Sequence, residues 1–197
     1  MCPEGLLLLG GGSERFGSDK LRAPIGGEPL YVKPLRALAG VVSHINLSVR
    51  RAKAHVDIPS DLARTSTTVI CDRDENHQMG PLDGIASGIA ERGADQLVLA
   101  GDLPVVSSGL LNRLMEAARD SEADVVCARA IQSGQIQPLC AVWKATSAPR
   151  FEAYLAEGGR SVFGLLDRLE VQVVDAPDRE LININRPGDL DLLGQMY

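Results

Sequence analysis

At 197 residues, 45% apolar and 23% charged, the chain has the length and balance of one globular domain, which excludes disordered, collagen-like and coiled-coil classes. The formal charge of −6 disfavours a nucleic-acid partner. Four cysteines without a C-x-x-C pair or a His cluster support neither a zinc site nor a disulfide scaffold, so a reducing cytoplasm is the expected compartment.

With three Phe, one Trp and three Tyr, the core must be aliphatic. The longest apolar run near the N-terminus, residues 6–9, is too short for a membrane span and lacks the basic flank of a signal peptide. Charge is uneven. Residues 1–53 hold 8 Lys+Arg against 4 Asp+Glu, and the remainder 12 against 22. A basic N-terminal quarter on an acidic protein can grip a small polyanion.

The predicted elements alternate between strand and helix. Residues 5–9 predict a strand that runs into Gly10-Gly11-Gly12. Residues 29–38 are helical in pattern, with Pro34 demanding a kink or a late start. Strands over 45–49 and 67–71 follow, then a polar, acidic loop over 72–80, a helix over 82–91 and a strand over 96–100. Residues 107–121 predict a helix with Leu110, Leu111, Leu114 and Ala118 on one face, capped by Ser107 or Ser108. Strands over 124–128 and 138–142 precede helices over 146–157 and 161–169, split at Gly158-Gly159. A strand over 171–174 and a helix over 187–196, with Pro187 in its first position, complete the chain. The first five strands lack strict alternation, as strands buried on both faces do. The expected fold is α/β: a three-layer α/β/α sandwich with a Rossmann-like, mostly parallel sheet, in a single domain over 1–197. Such sheets bind ligands at the carboxyl ends of their strands.

The strongest local signal lies just after the first strand, where Gly10, Gly11 and Gly12 are followed by Ser13, Arg15, Gly17 and Lys20. Glycines let backbone N–H groups approach an anion, and Arg15 and Lys20 add charge suited to a polyphosphate. An ordinary glycine-rich turn with two solvated cations accounts for the same residues. Two nucleotide motifs fail on spacing. Lys20 stands two places too late for a Walker A loop, and Arg15 stands where the dinucleotide fingerprint needs its third glycine. Further along, Asp102 directly follows strand 96–100. A carboxylate there faces the binding crevice, and Mg²⁺ is commonly held by one or two carboxylates plus substrate phosphates. The alternative is an Asp that turns the chain before Pro104. Asn183 and Asn185 alternate along a strand end and share one face, although Asn185 could equally cap a helix before Pro187. His44, His55 and His77 show no partner spacing, and Trp143 reads as core.

Taken in order, these segments resemble the nucleotidyltransferases related to molybdenum cofactor guanylyltransferase, the MobA-like family. Residues 8–20 fit its L-A-G-G-x-S-x-R-M-G-x-D-K signature, and Gly26-Gly27-Glu28-Pro29-Leu30 its G-K-P-L turn. Met79-Gly80-Pro81-Leu82-Asp83-Gly84-Ile85 fits G-P-L-x-G-I, and Gly101-Asp102-Leu103-Pro104 stands for C-D-M-P. Gln137-Pro138-Leu139 is similar to a short strand before the substrate site, and Asn183-Ile184-Asn185-Arg186-Pro187 to N-[VI]-N-T-P. The resemblance implies a fold of the nucleotide-diphospho-sugar transferase type. It implies transfer of GMP from GTP to the phosphate of molybdopterin, with pyrophosphate released. Cytidylyl transfer, or nucleotidyl transfer to another small molecule, is the near alternative; the enzymes using CTP tend to have Ala where Gly10 stands. A non-catalytic nucleotide-binding module is the distant one.

By resemblance, Lys20, Arg15 and Asp102 are catalytic, and Asp102 holds Mg²⁺. Nucleotide or substrate contacts fall to Leu8, Leu9, Gly10, Gly11, Gly12, Ser13, Lys20, Ser48, Asp72, Asp102, Asn183 and Asn185. Molybdoenzymes or their chaperones would receive the product, with no nucleic-acid or membrane partner. The chain departs from the family at Leu9 (usually Ala), Ser48 (commonly Asn) and Arg186 (usually Thr), and places Asp83 in the G-P-L-x-G turn. These departures bear on base and acceptor choice more than on reaction class.

Overall fold

The computed structural model describes residues 2–10, 20–49, 56–62, 64–71, 80–186 and 188–189. Seven strands form one sheet: β1 (Glu4–Leu8), β4 (His44–Val49), β5 (Ser66–Cys71), β6 (Gln96–Ala100), β7 (Val125–Ala130), β8 (Ile136–Trp143) and β9 (Val171–Ala176). Their order is β5-β4-β1-β6-β8-β7-β9. All neighbours are parallel except at β8, which runs against both β6 and β7. The connection from β7 to β8 spans only residues 131–135, with Gly134 at φ +70° and the Ala130 N–H bonded to the Gln135 carbonyl at 2.9 Å. A link that short can only reverse the chain, whereas parallel neighbours need a long crossover.

The crossovers carry helices: α1 (Val32–Ala39), α2 (Pro81–Arg92), α3 (Ser108–Arg119), α4 (Ala148–Ala156) and α5 (Val162–Leu166). Alternate residues of β1 supply opposite faces. Leu7 packs with Ile45, Leu47, Leu97 and Leu99 beneath α1 and α3. Leu6 and Leu8 pack on the other face with Val98, Ile85 and Trp143, toward α2, α4 and α5. The expected three-layer sandwich is therefore the observed one. Trp143 lies fully inside, edge-on to Phe151, and donates its indole N–H to the Pro138 carbonyl at 3.1 Å.

Local chemistry sets the helix boundaries. Pro34 falls in the first turn of α1, where its missing N–H has no intrahelical partner to lose, so the helix starts late and needs no kink. Ser107 caps α3 by accepting from the Leu110 N–H at 3.1 Å. α5 ends at Leu166, short of the expected 169, because its exit tightens: the Arg168 and Leu169 N–H groups bond to Leu165 and Leu166, three residues back. Gly26 and Gly27, both at positive φ, turn a small hairpin of β2 (Pro24–Ile25) and β3 (Glu28–Pro29). Arg36 of α1 ties this hairpin down through Glu28 and Asp61. The expected closing helix over 187–196 lies outside the described residues, apart from Gly188 and Asp189. No helix among the described residues is long and apolar enough to cross a membrane.

Candidate active site

The carboxyl ends of three parallel strands meet at one edge of the sheet. The Leu9 N–H donates to the Ser48 carbonyl at 2.8 Å, and the Gly101 N–H to the Leu8 carbonyl at 3.0 Å. Gly101 fits this closeness: a Cβ there would make tight contacts, 3.0 Å from Leu9 Cδ2 and 3.1 Å from the Leu8 carbonyl oxygen. Asp102 follows at once on the lip of β6.

Two short segments bring partners to it. Lys20 begins a single 3-10 turn, Lys20–Arg22, whose Leu21 is buried with Leu30, Tyr31, Val32 and Ile184. Ile184 has no exposed surface, and its N–H bonds to the Asp102 carbonyl at 3.0 Å. Burying that one side chain turns its neighbours on either side, Asn183 and Asn185, to the opposite face of an extended segment. The result is a connected cluster. Lys20 Nζ donates to Asp102 Oδ2 at 2.6 Å and to Asn185 Oδ1 at 3.1 Å. Asn183 Nδ2 donates to Asp102 Oδ1 at 3.3 Å, and Gln137 Nε2 donates to Asn183 Oδ1 at 2.6 Å. The Lys20 and Asp102 side chains are each 14% exposed, buried enough that their ion pair is only weakly screened by water. Below the cluster, Asp189 Oδ2 accepts from the backbone N–H groups of Asn185 and Arg186, both at 2.8 Å, and these donors hold its carboxyl below the usual range.

The structure brings together Lys20, Asp102, Asn183 and Asn185, which the resemblance implies as site residues, with Leu9 at the adjoining strand end. Ser48 requires a correction. It is 3% exposed, and a Cβ added to Gly84 of α2 would lie only 2.5 Å from its Oγ, so its side chain packs under α2 rather than toward open space. Leu8 likewise has its side chain in the core and its carbonyl engaged by Gly101. Asp83 is buried in the first turn of α2, where the helix N-terminus favours a negative charge. Gly11, Gly12, Ser13, Arg15 and Asp72 lie outside the described residues. Gln137 was not anticipated as a site residue; the only sequence signal was its place before Pro138-Leu139.

Beside the cluster opens a cavity of about 670 Å³ between the start of β8, α5 and residues 178–185. Gln137, Asn183 and Asn185 line it on the Asp102 side, and Ile136, Leu139 and Phe163 are among its apolar walls. Among the described residues, no group of three or more His, Cys, Asp or Glu could hold a metal ion by itself. A single carboxylate facing a lysine and two amides at the strand ends of an α/β sheet suits anionic substrates, whose charge is neutralised and placed rather than attacked by a side chain.

The comparisons make this class specific. A family described as "MobA-like NTP transferase domain" matches residues 5–172, and the chain belongs to it. A relative from Mycobacterium avium named "Probable molybdenum cofactor guanylyltransferase" is 32% identical over 97% of this chain and 94% of its own. The "Molybdenum cofactor guanylyltransferase" of Rhodobacter capsulatus is 29% identical over 94% of this chain and 92% of its own. The crystal structure of a molybdopterin-guanine dinucleotide biosynthesis protein A from Archaeoglobus fulgidus shares the fold, with a TM-score of 0.78 at 20% identity over 98% of this chain and 97% of that one.

Proposed function

We propose that the protein transfers GMP from GTP to the phosphate of molybdopterin and releases pyrophosphate. The observation that carries this reading is the cluster of Lys20, Asp102, Asn183 and Asn185 at the strand ends, in a chain whose near relatives bear the guanylyltransferase name. The acceptor phosphate attacks the α-phosphorus of GTP in line. One P–O bond forms, the bond to the β-phosphate oxygen breaks, and pyrophosphate departs. The task for the side chains is to hold two anions together, so no Ser or Cys nucleophile is needed.

Lys20 offsets charge on the triphosphate, and its reach to Asn185 fixes where that charge is met. Gly10, Gly11 and Gly12 offer backbone N–H groups to the phosphates, with Arg15 adding a second cation. The residues fit Mg²⁺: Asp102 supplies one hard carboxylate and Asn185 an amide oxygen, the sparse set expected where substrate phosphates complete the shell. Bound Mg²⁺ would neutralise phosphate oxygens. Asn183, held by Gln137, orients the Asp102 carboxylate toward the crevice and borders the cavity from which the acceptor approaches. The protein acts in the cytoplasm and passes its product to molybdoenzymes or their chaperones.

Pyrophosphate release tests the proposal. Release is expected only when GTP, Mg²⁺ and molybdopterin are all present. Binding of GTP without any release would instead favour a non-catalytic nucleotide-binding module.

A further inference from the structure

We propose that Phe163 is the stacking surface for the heterocycle of the acceptor, with the Asp178 carboxylate as the hydrogen-bond acceptor at the edge of that ring. The inference rests on the acceptor reading above and deepens it: these two side chains choose which phosphate-bearing acceptor is used.

Phe163 is 54% exposed on α5, while Leu165 and Leu166 of the same helix are buried. Four large apolar side chains are exposed among the described residues, and Phe163 is the one aromatic among them and the one that lines the cavity beside Asp102. A single exposed apolar side chain is ordinary on a protein surface; what sets Phe163 apart is that its ring stands on the wall of the cavity beside the Asp102 cluster. Ser161 Oγ, 3.3 Å from the Gly164 N–H, caps the helix around it and fixes the ring's backbone.

The cavity is far larger than a phosphate needs, and its lining is mixed: the amides that meet Asp102, the apolar Ile136, Leu139 and Val162 together with Phe163, and the polar Gln135 and Asp178. Asp178 is held rigidly. Its Oδ1 accepts from the Gln132 N–H at 2.8 Å and its Oδ2 from the Ser133 N–H at 3.1 Å. Those donors, with the Ser133 hydroxyl, keep its carboxyl below the usual range. An apolar ring and a fixed carboxylate on the same cavity suit a planar heterocycle with adjacent N–H and NH₂ donors, as in a 2-amino-4-oxopyrimidine.

The test varies molybdopterin at saturating GTP and Mg²⁺ in wild type, Phe163→Ala, Phe163→Leu, Phe163→Trp and Asp178→Asn. Leu keeps apolar area but loses the ring, so both Ala and Leu should raise the KM for molybdopterin about tenfold, with Trp restoring it. Asp178→Asn should raise it by a similar factor, and the KM for GTP should stay within twofold throughout, which a general loss of fold would not allow. In a second arm, free pterin is titrated into each intact protein and followed by quenching of its own fluorescence; wild type should bind it, and Phe163→Leu and Asp178→Asn should weaken binding at least fivefold. A KM for molybdopterin unchanged in Phe163→Leu, or no pterin binding by wild type, overturns the inference. If wild type binds pterin through these residues yet transfers no GMP to molybdopterin, the guanylyl reading fails while the ring site stands.

Discussion

Replacing Asp102 probes the site most deeply, because stability and chemistry respond by different amounts. Asp102→Ala removes the acceptor of the Lys20 ammonium at 2.6 Å and of the Asn183 amide at 3.3 Å. Breaking a fully buried ion pair costs about 3–5 kcal/mol. Both side chains are 14% exposed, so water recovers part of this, leaving about 2–3 kcal/mol by the same reasoning. For a chain of this length that is a fall in Tm of about 5–10 °C, at roughly 2–4 °C per kcal/mol. Asp102→Asn keeps an oxygen for Lys20 and should cost about 1 kcal/mol, the worth of a charge-assisted over a neutral hydrogen bond. Turnover should fall at least about a hundredfold in both variants, because the charge proposed to meet Mg²⁺ is gone in each. At 25 °C both remain folded, since native domains hold about 5–15 kcal/mol. The assays are thermal unfolding and pyrophosphate release at limiting Mg²⁺. Asp102→Asn turning over within a few-fold of wild type would falsify the assignment, whatever its Tm.

Gly84→Ala should lower Tm by about 2–4 °C. The new Cβ would lie 2.5 Å from Ser48 Oγ and 2.7 Å from Leu8 Cδ2, and overpacking of about 2 kcal/mol outweighs the helix gain of about 1 kcal/mol by about 1 kcal/mol; a higher Tm refutes the contact. Gln137→Ala should reduce turnover severalfold while Tm changes by less than about 4 °C, because it frees the Asn183 amide to rotate away from Asp102; unchanged turnover would show that Asn183 needs no such support. Burial pushes the Cys127 thiol up to about 12, and burial with the nearby Cys127 and Glu180 pushes Cys140 higher still, whereas Cys2 and Cys71 are exposed. Two thiols should therefore react rapidly with Ellman's reagent at pH 8 and all four after denaturation; rapid labelling of a third contradicts the packing.

Runs of aliphatic residues made the central strands legible, because a strand buried on both faces announces itself by composition. Their ends moved for reasons that lie across the sheet. β8 extends to Ile136–Trp143, beyond the expected 138–142, because its hairpin with β7 lengthens the ladder. Pro138 is tolerated there beside the register shift between Cys127 and Ala128, where a missing donor costs least. The two-residue strands around Gly26-Gly27 are too short to carry any pattern. At the site, Asp102 and Lys20 were legible from a strand end and a glycine-rich run. Gln137 was not, since its meeting with Asn183 joins positions 46 residues apart. Ser48 stands at a strand end as a ligand would, and only the packing of α2 against it decides that its side chain faces inward.

The most direct test of the central claim is a competition in which GTP and CTP, at equal concentration, are supplied with Mg²⁺ and molybdopterin, and the product is weighed by mass spectrometry. On the proposed reading, a methyl at position 10 would crowd a purine beside the end of the first strand. Wild type should therefore yield the guanine dinucleotide in large excess, and Gly10→Ala should lower that yield. A cytosine dinucleotide as the main product of wild type would contradict the account, and no dinucleotide of either base would remove molybdopterin as the acceptor.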